Sequence, residues 1–399
     1  MSARPRAAWP LVAVFTAGYL AAYLLPTVVG RLSSGLGLSP TQAGLIGSTL
    51  LLSSAAAGFT LAARVERYGE RRLARLGLLL ALGGYGAAAL TSLLPLVVAG
   101  AVVGGFGSGT ATAVAASGMA ARRDPHRLTT FGLLSVSATA GALYLTIPHF
   151  GGGHGVPFAA LAGVAGSVWP VTTHLPGPAP VHVAERLPSP RLPRRRSGSI
   201  LAAAMLCWSL AQNALWGVSG RIGLTQAGLT EVTVGAVFAV ALGAGLLGVT
   251  GAGALGARLG RAVPIGVGTV VIAGCVVLSA SARGLASFAC GEILWNVFYP
   301  VVLSYLLALA ASLDPRGRWA VLAGSASSLG VACGPLVGSV LSSQAGYGGM
   351  GAVLGLVLLV VAAPLTTLAR HRPLATAPIP GPTPQTLHPA GGGEFSLSV

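Results

Sequence analysis

Eight acidic residues occur in the 399-residue chain, and only Glu292 falls inside a long apolar run. An ionisable side chain at the centre of a bilayer costs about 2.5–3.5 kcal/mol on insertion scales, so it should face protein or water and mark a functional path. Two uses fit Glu292. It is either a carboxylate for a proton or cationic substrate, or a structural partner for Arg283 or for helix dipoles. Trp295, Asn296 and Tyr299 share a helical face with it. A second apolar run places Trp208, Gln212 and Trp216 in one row, with Ser209 and Asn213 beside it. A third carries Thr16, Tyr19, Tyr23 and Thr27. Each aromatic residue also fits plain packing or an interfacial belt. Three such faces together suit a cavity. No arginine lies mid-run and the chain has no lysine. Anionic solutes need fixed positive charge or oriented helix ends to offset desolvation. The expected solute is therefore small, neutral or cationic, and amphipathic.

Other chemistries find little support. The sequence has no HExxH, GxSxG or GxxxxGK[ST] motif and no paired intramembrane acids, so an enzyme is not expected. The four cysteines (Cys207, Cys275, Cys290, Cys333) lie in apolar runs without CxxC spacing and read as small hydrophobes. His149 and His154 flank a three-glycine stretch, which is weak evidence for a metal. No metal and no cofactor is expected, the proton being the candidate coupling ion.

The elements that must position these residues are membrane helices. Hydrophobic residues make up 53% of the chain and charged residues 8%, against about 25% charged in a soluble domain. With about 20 apolar residues needed per crossing, spans are predicted at 8–30, 40–63, 73–93, 95–121, 128–147, 157–174, 199–219, 232–256, 264–282, 285–312, 319–343 and 349–369. The net charge of +16 would suit nucleic acid. Its distribution decides otherwise. With the N-terminus inside, 21 of the 24 arginines fall on the cytoplasmic side, and only Arg31, Arg221 and Arg283 fall outside. That is a positive-inside pattern, with both termini cytoplasmic and the lipid bilayer, not nucleic acid, as the partner. Residues 175–198 are rich in Pro and Arg and read as a cytoplasmic linker. They separate six-helix bundles at 1–174 and 199–369, and 370–399 read as a disordered cytoplasmic tail.

The bundles repeat each other at an offset of 190–191 residues. Gly37-Leu38-Ser39-Pro40 through Gly44 matches Gly228-Leu229-Thr230-Glu231 through Gly235, Arg67-Tyr68-Gly69 matches Arg258-Leu259-Gly260, and Asp124-Pro125 matches Asp314-Pro315. On these features the chain resembles bacterial members of the major facilitator superfamily over residues 8–369. The family's motif A, Gly-x-Leu-x-Asp-Arg-x-Gly-Arg-Arg, follows its second helix. Here that loop carries Glu66, Arg67, Gly69, Arg71 and Arg72, and its counterpart carries Gly253, Leu255, Arg258, Gly260 and Arg261 without the acid.

The resemblance implies an all-α integral membrane protein of twelve transmembrane helices in two pseudo-twofold halves. Helices 1, 4, 7 and 10 would line a central cavity, and the motif-A residues would form a clasp holding the outward-open state. Two departures weaken assignment to the drug/proton antiporters. Ala101 stands where their fourth helix has Arg, and a Gly-x-x-x-Gly-Pro element, absent from helix 5, occurs in helix 11 as Gly330, Gly334 and Pro335, followed by Gly338. Those small residues allow close packing, and the proline a loosened gate. The expected protein is a monomeric, proton-coupled exporter of the plasma (inner) membrane working by rocking of two bundles. A uniporter, an importer and a non-transporting sensor are the alternatives.

Overall fold

The computed structural model describes residues 8–176, 192–255, 260–314 and 317–370, and among them there is no strand. The helices are α1 (Trp9–Tyr23), α2 (Leu25–Leu36), α3 (Pro40–Leu61), the one-turn α4 (Val65–Tyr68), α5 (Glu70–Leu90), α6 (Leu94–Ala120), α7 (Pro125–Thr146), α8 (Gly155–Val168), α9 (Arg195–Arg221), α10 (Glu231–Leu255), α11 (Ala262–Ala280), α12 (Leu285–Leu313) and α13 (Arg318–Arg370). Residues 177–191 of the expected linker, 256–259 with Arg258, and 371–399 of the expected tail lie outside the described residues.

Among the described residues ten helical stretches are long and apolar enough to cross a membrane, and α1 with α2 makes an eleventh, bent by 49°. Twelve separate spans were expected, and the difference lies in α13. Its 53 residues would reach about 80 Å at 1.5 Å per residue, more than twice a hydrocarbon core. Gly346, at φ 69° and ψ 172°, breaks it into two helices joined almost without a loop.

The bend between α1 and α2 follows from one residue. Pro26 has no N–H, so the Ala22 carbonyl loses the donor it would have in a continuous helix. The Thr27 N–H turns to Leu24 O, which also accepts the regular helical bond from Val28 N, and Tyr23 O is left without its helical donor as well. In hydrocarbon such carbonyls must find partners within the protein, and both do, as described below.

The repeat has a conformational basis. Gly37 and Gly228 sit at φ 64° and 66°, and Gly69 and Gly260 at 86° and 64°, the left-handed region that glycine enters without penalty. Downstream of the first pair, Ser39 Oγ accepts from Gln42 N while Gln42 Oε1 accepts from Ser39 N, a capping box that opens α3. Thr230 Oγ1 accepts from Thr233 N at the corresponding place before α10.

The helices from α1 to α8 pack on one another, as do α9 to α13, and α3 against α13, α7 against α10 and α2 against α9 join the two groups. Within the second group, Gly330, Gly334 and Gly338 bring α13 onto α9 backbone to backbone. A Cβ on Gly334 would lie 2.6 Å from the Cβ of Asn213, and one on Gly338 2.7 Å from the Ala214 carbonyl carbon. Pro335, between them, touches Gly217 of α9 and Gly47 of α3. The glycine stripe therefore sets the position of Asn213 as well as the helix spacing. Replacing Gly338 by Leu is expected to lower the thermal unfolding midpoint clearly, since overpacking costs about 1–3 kcal/mol. Gly324→Leu, on the same helix but with open space around it, should leave the midpoint unchanged in the same melting assay.

Candidate functional site

Seven of the residues singled out above meet in one cavity of about 260 Å³: Tyr19, Tyr23, Asn213, Trp216, Trp295, Asn296 and Tyr299. α1, α9 and α12 supply them, and α7, α10 and α13 close the sides through Ser137, Leu246 and Val331. Among the described residues its lining contains no charged side chain. Tyr19, Ala22 and Val331 are shared with a second chamber of about 400 Å³, which runs between α3 and α6 past Thr112 and Ser117 to Phe59 and Ala62. Those last residues lie at the arginine-rich ends of their helices. The cavity thus opens toward the arginine-rich face of the molecule, with the fourth apolar run, α6, lining its mouth.

Three expected site residues stand behind the wall. Trp208 is fully buried and stacks on Tyr299 at 5.3 Å between centroids. Gln212 is also fully buried. Its Nε2 donates to Trp208 O at 3.0 Å, and its Oε1 accepts from Trp295 Nε1 at 2.8 Å, which fixes the indole facing the cavity. Glu292 is sealed from solvent. Its Oε1 accepts from Ser279 at 2.6 Å and Ser219 at 2.8 Å, and its Oε2 has no hydrogen-bond partner. Among the described residues its side-chain partners are these serines, one each from α11 and α9, and the expected partner Arg283 is not one of them. Asn296, one turn further along α12, donates to the Glu292 carbonyl at 2.9 Å, so the acid is tied to the cavity through the main chain.

At the arginine-poor end the two groups of helices are latched together. Arg31 is buried and reaches the carboxylate of Glu231 at 2.7 Å and the carbonyl of Gly151. Trp216 Nε1 donates to Ala22 O at 3.1 Å, and Tyr144 Oη donates to Tyr23 O at 2.5 Å. The two carbonyls released by Pro26 are thereby satisfied, one of them by a side chain from the opposite group of helices. Tyr144, Trp216 and Phe238 pack ring on ring above this point, and Ser48 Oγ accepts from Leu336 N at 2.9 Å.

Sequence reasoning placed Arg31 in a loop and missed the latch. A signal was present in Arg31 and Glu231, opposite charges among the few predicted outside. Ser219 and Ser279 gave none, because serine is common in membrane helices.

The motif-A loop is described in part. Gly69 makes the turn into α5 with its positive φ. Arg67 lies over the Tyr68 ring at 5.8 Å, and Arg71 Nε donates to Leu175 O at 2.8 Å within the first group. The ion pair at this place joins Glu70 to Arg122 at 3.5 Å. The Glu66 side chain lies outside the described residues. In the second copy Gly253 falls in α10, Gly260 has positive φ and Arg261 precedes α11.

Neutralising the latch as Glu231→Gln or Arg31→Ala is expected to move the population toward opening at the arginine-poor end. Spin labels at Ser34→Cys and Thr230→Cys, both exposed, in a cysteine-less background should then show longer distances. The charge swap Arg31→Glu with Glu231→Arg should restore the short one.

The family model for the Major Facilitator Superfamily matches residues 11–318. The human organic anion transporter MFSD10 (TETRAN) shares the fold at a TM-score of 0.66 and 18% identity, over 90% of this chain and 99% of that one. A D-xylose-proton symporter does so at a TM-score of 0.70 and 15% identity, over 90% and 96% of the two chains. No curated protein sequence matches. At such identities the two structures speak for the fold alone.

Proposed function

Because the chain belongs to the major facilitator superfamily, we propose that it moves a small neutral or cationic amphipathic solute across the plasma membrane by alternating access, as a proton-coupled exporter acting as a monomer. The observation that carries this reading is the aromatic, uncharged cavity, latched at one end and open at the other. An anionic solute would have no fixed positive charge there to replace its water. Tyr19, Tyr23, Trp216, Trp295 and Tyr299 instead offer ring faces that attract cations by about 0.5–2 kcal/mol each.

The arginine distribution supports the orientation. Arg31 is consumed in the latch, so only Arg221 and Arg283 remain on the arginine-poor side, which makes the arginine-rich face cytoplasmic. In this reading the structure is inward-facing and loads solute from the cytoplasm. α13 counts as two spans and α1 with α2 as one, giving twelve in bundles at 1–174 and 199–369.

Glu292 is the proton carrier in this proposal, and the burial of its carboxyl group supports it. Ser219 Oγ shares its hydrogen between Leu215 O and Glu292 Oε1, and Ser279 Oγ donates to Oε1 as well. Oε2 has no partner among the described residues, a surrounding that favours a neutral carboxyl group over a desolvated anion. Ser219 and Ser279 lie at the latched ends of α9 and α11, so proton exchange would occur from outside once the latch opens. Glu292 lies behind the wall and acts on helix positions, with no contact to solute.

Liposomes with an imposed pH gradient test this, using ethidium as the cationic probe. The wild-type protein should drive ethidium uphill, whereas Glu292→Gln, a permanent mimic of the protonated acid, should lose gradient-driven flux at least about tenfold and keep equilibrative exchange. Gradient-driven flux undiminished in Glu292→Gln would remove the coupling role.

A further inference from the structure

Beside the second amide hydrogens of Asn213 and Asn296 and the hydroxyls of Tyr19 and Tyr299, the cavity presents a group of open hydrogen-bond acceptors. Asn213 Nδ2 donates to Ser209 O at 2.9 Å and Asn296 Nδ2 to Glu292 O at 2.9 Å. A carbonyl four residues back fixes each amide's orientation, because the flipped amide would set oxygen against oxygen. Neither Oδ1 atom has a hydrogen-bond partner among the described residues, and both residues line the cavity. The third acceptor is the Ala22 carbonyl at the break in the first span. Pro26 takes away its helical donor, and Trp216 Nε1 covers it while the arginine-poor end is closed. Ala22, Trp216, Asn213 and Asn296 surround the same space. Opening the latch separates α1 from α9, so Trp216 leaves Ala22 O and a bare carbonyl turns to the cavity. Facing an open cavity, that carbonyl is free to accept from water or from a solute N–H.

We propose that the Ala22 carbonyl, with Asn213 Oδ1 and Asn296 Oδ1, forms a subsite for an N–H donor, so that the solute is a protonated primary or secondary amine attached to an aromatic or apolar body. Solute N–H and Trp216 Nε1–H take turns on one carbonyl, which links solute binding to the outer closure. This deepens the cation-transport reading above and rests on it. Positive charge alone does not satisfy such a site, since a quaternary ammonium has no hydrogen to give the three oxygens. Donor recognition and charge recognition therefore separate experimentally.

Binding of three probes to the full-length protein in nanodiscs makes the separation: phenethylammonium, its N,N,N-trimethyl analogue and 3-phenylpropionate. The primary amine is expected to bind at least about tenfold more tightly than the trimethyl analogue, and the carboxylate not at all. Pro26→Ala returns an N–H to Ala22 O and should weaken the primary amine about tenfold while leaving the trimethyl analogue unchanged. Trp216→Phe keeps a ring but removes the competing N–H, and should raise the preference for the primary amine over the trimethyl analogue. Equal binding of the two cations, or a preference that neither substitution shifts, overturns the donor subsite and leaves the cation reading standing. Binding of 3-phenylpropionate in preference to both cations, or of none of the three, overturns the cation reading as well.

Discussion

A membrane interior supplies no water to solvate a backbone carbonyl, and the closed end of this protein is organised around two carbonyls that a proline has left without donors. In a soluble helix Pro26 would cost one hydrogen bond and a bend. Here the same defect obliges the first span to borrow donors from Tyr144 and Trp216. Trp216 belongs to the opposite group of helices, so a local backbone need becomes a bond between the two moving parts. The Arg31–Glu231 pair adds a charge-assisted clasp at the mouth. Packing of Pro335 against Gly47 and Gly217 carries the closure along α3 and α13. Each contact is modest, and those of Trp216, Arg31 and Pro335 join the two groups of helices.

The interior follows the same logic of exact accounting for polar groups. Gln212 uses both ends of its amide to set Trp208 and Trp295, so it shapes the cavity wall without entering it. Asn213 and Asn296 each give one amide hydrogen to the backbone, which turns Oδ1 away from that carbonyl. Glu292 is held by two serines behind that wall. The proposed proton and solute positions are thus adjacent in chain and separate in space, joined by one turn of α12. In that proposal coupling works through helix position, without charge competition at a shared carboxylate.

Much of this was legible in the sequence, for reasons that differ by residue. Helical periodicity placed Tyr19, Tyr23, Trp216, Trp295, Asn296 and Tyr299 on inward faces, because apolar runs leave few polar positions and these share a face. The repeat showed itself through Gly37, Gly228, Gly69 and Gly260, whose left-handed backbone only glycine adopts cheaply. What the sequence concealed was depth. Nothing in periodicity tells a cavity-lining residue from one a layer behind, so Trp208, Gln212 and Glu292 were grouped with their neighbours. The merging of the last two spans escaped for a similar reason, since Gly346 breaks the helix without a polar loop to announce it. The latch escaped because Arg31 and Glu231 are 200 residues apart, and only tertiary structure brings them to 2.7 Å.

The proposed mechanism requires that the cavity, reachable from the arginine-rich side while the latch is closed, change sides when the latch is released. Thiol accessibility measures this directly. A lone cysteine introduced as Asn296→Cys in an otherwise cysteine-less protein would be treated with a membrane-impermeant maleimide in sealed vesicles of each orientation. With Arg31 and Glu231 intact, labelling is expected predominantly from the arginine-rich side, and Glu231→Gln should move it toward the other. Labelling confined to the arginine-poor side, or equal from both sides and unaffected by Glu231→Gln, would contradict the account.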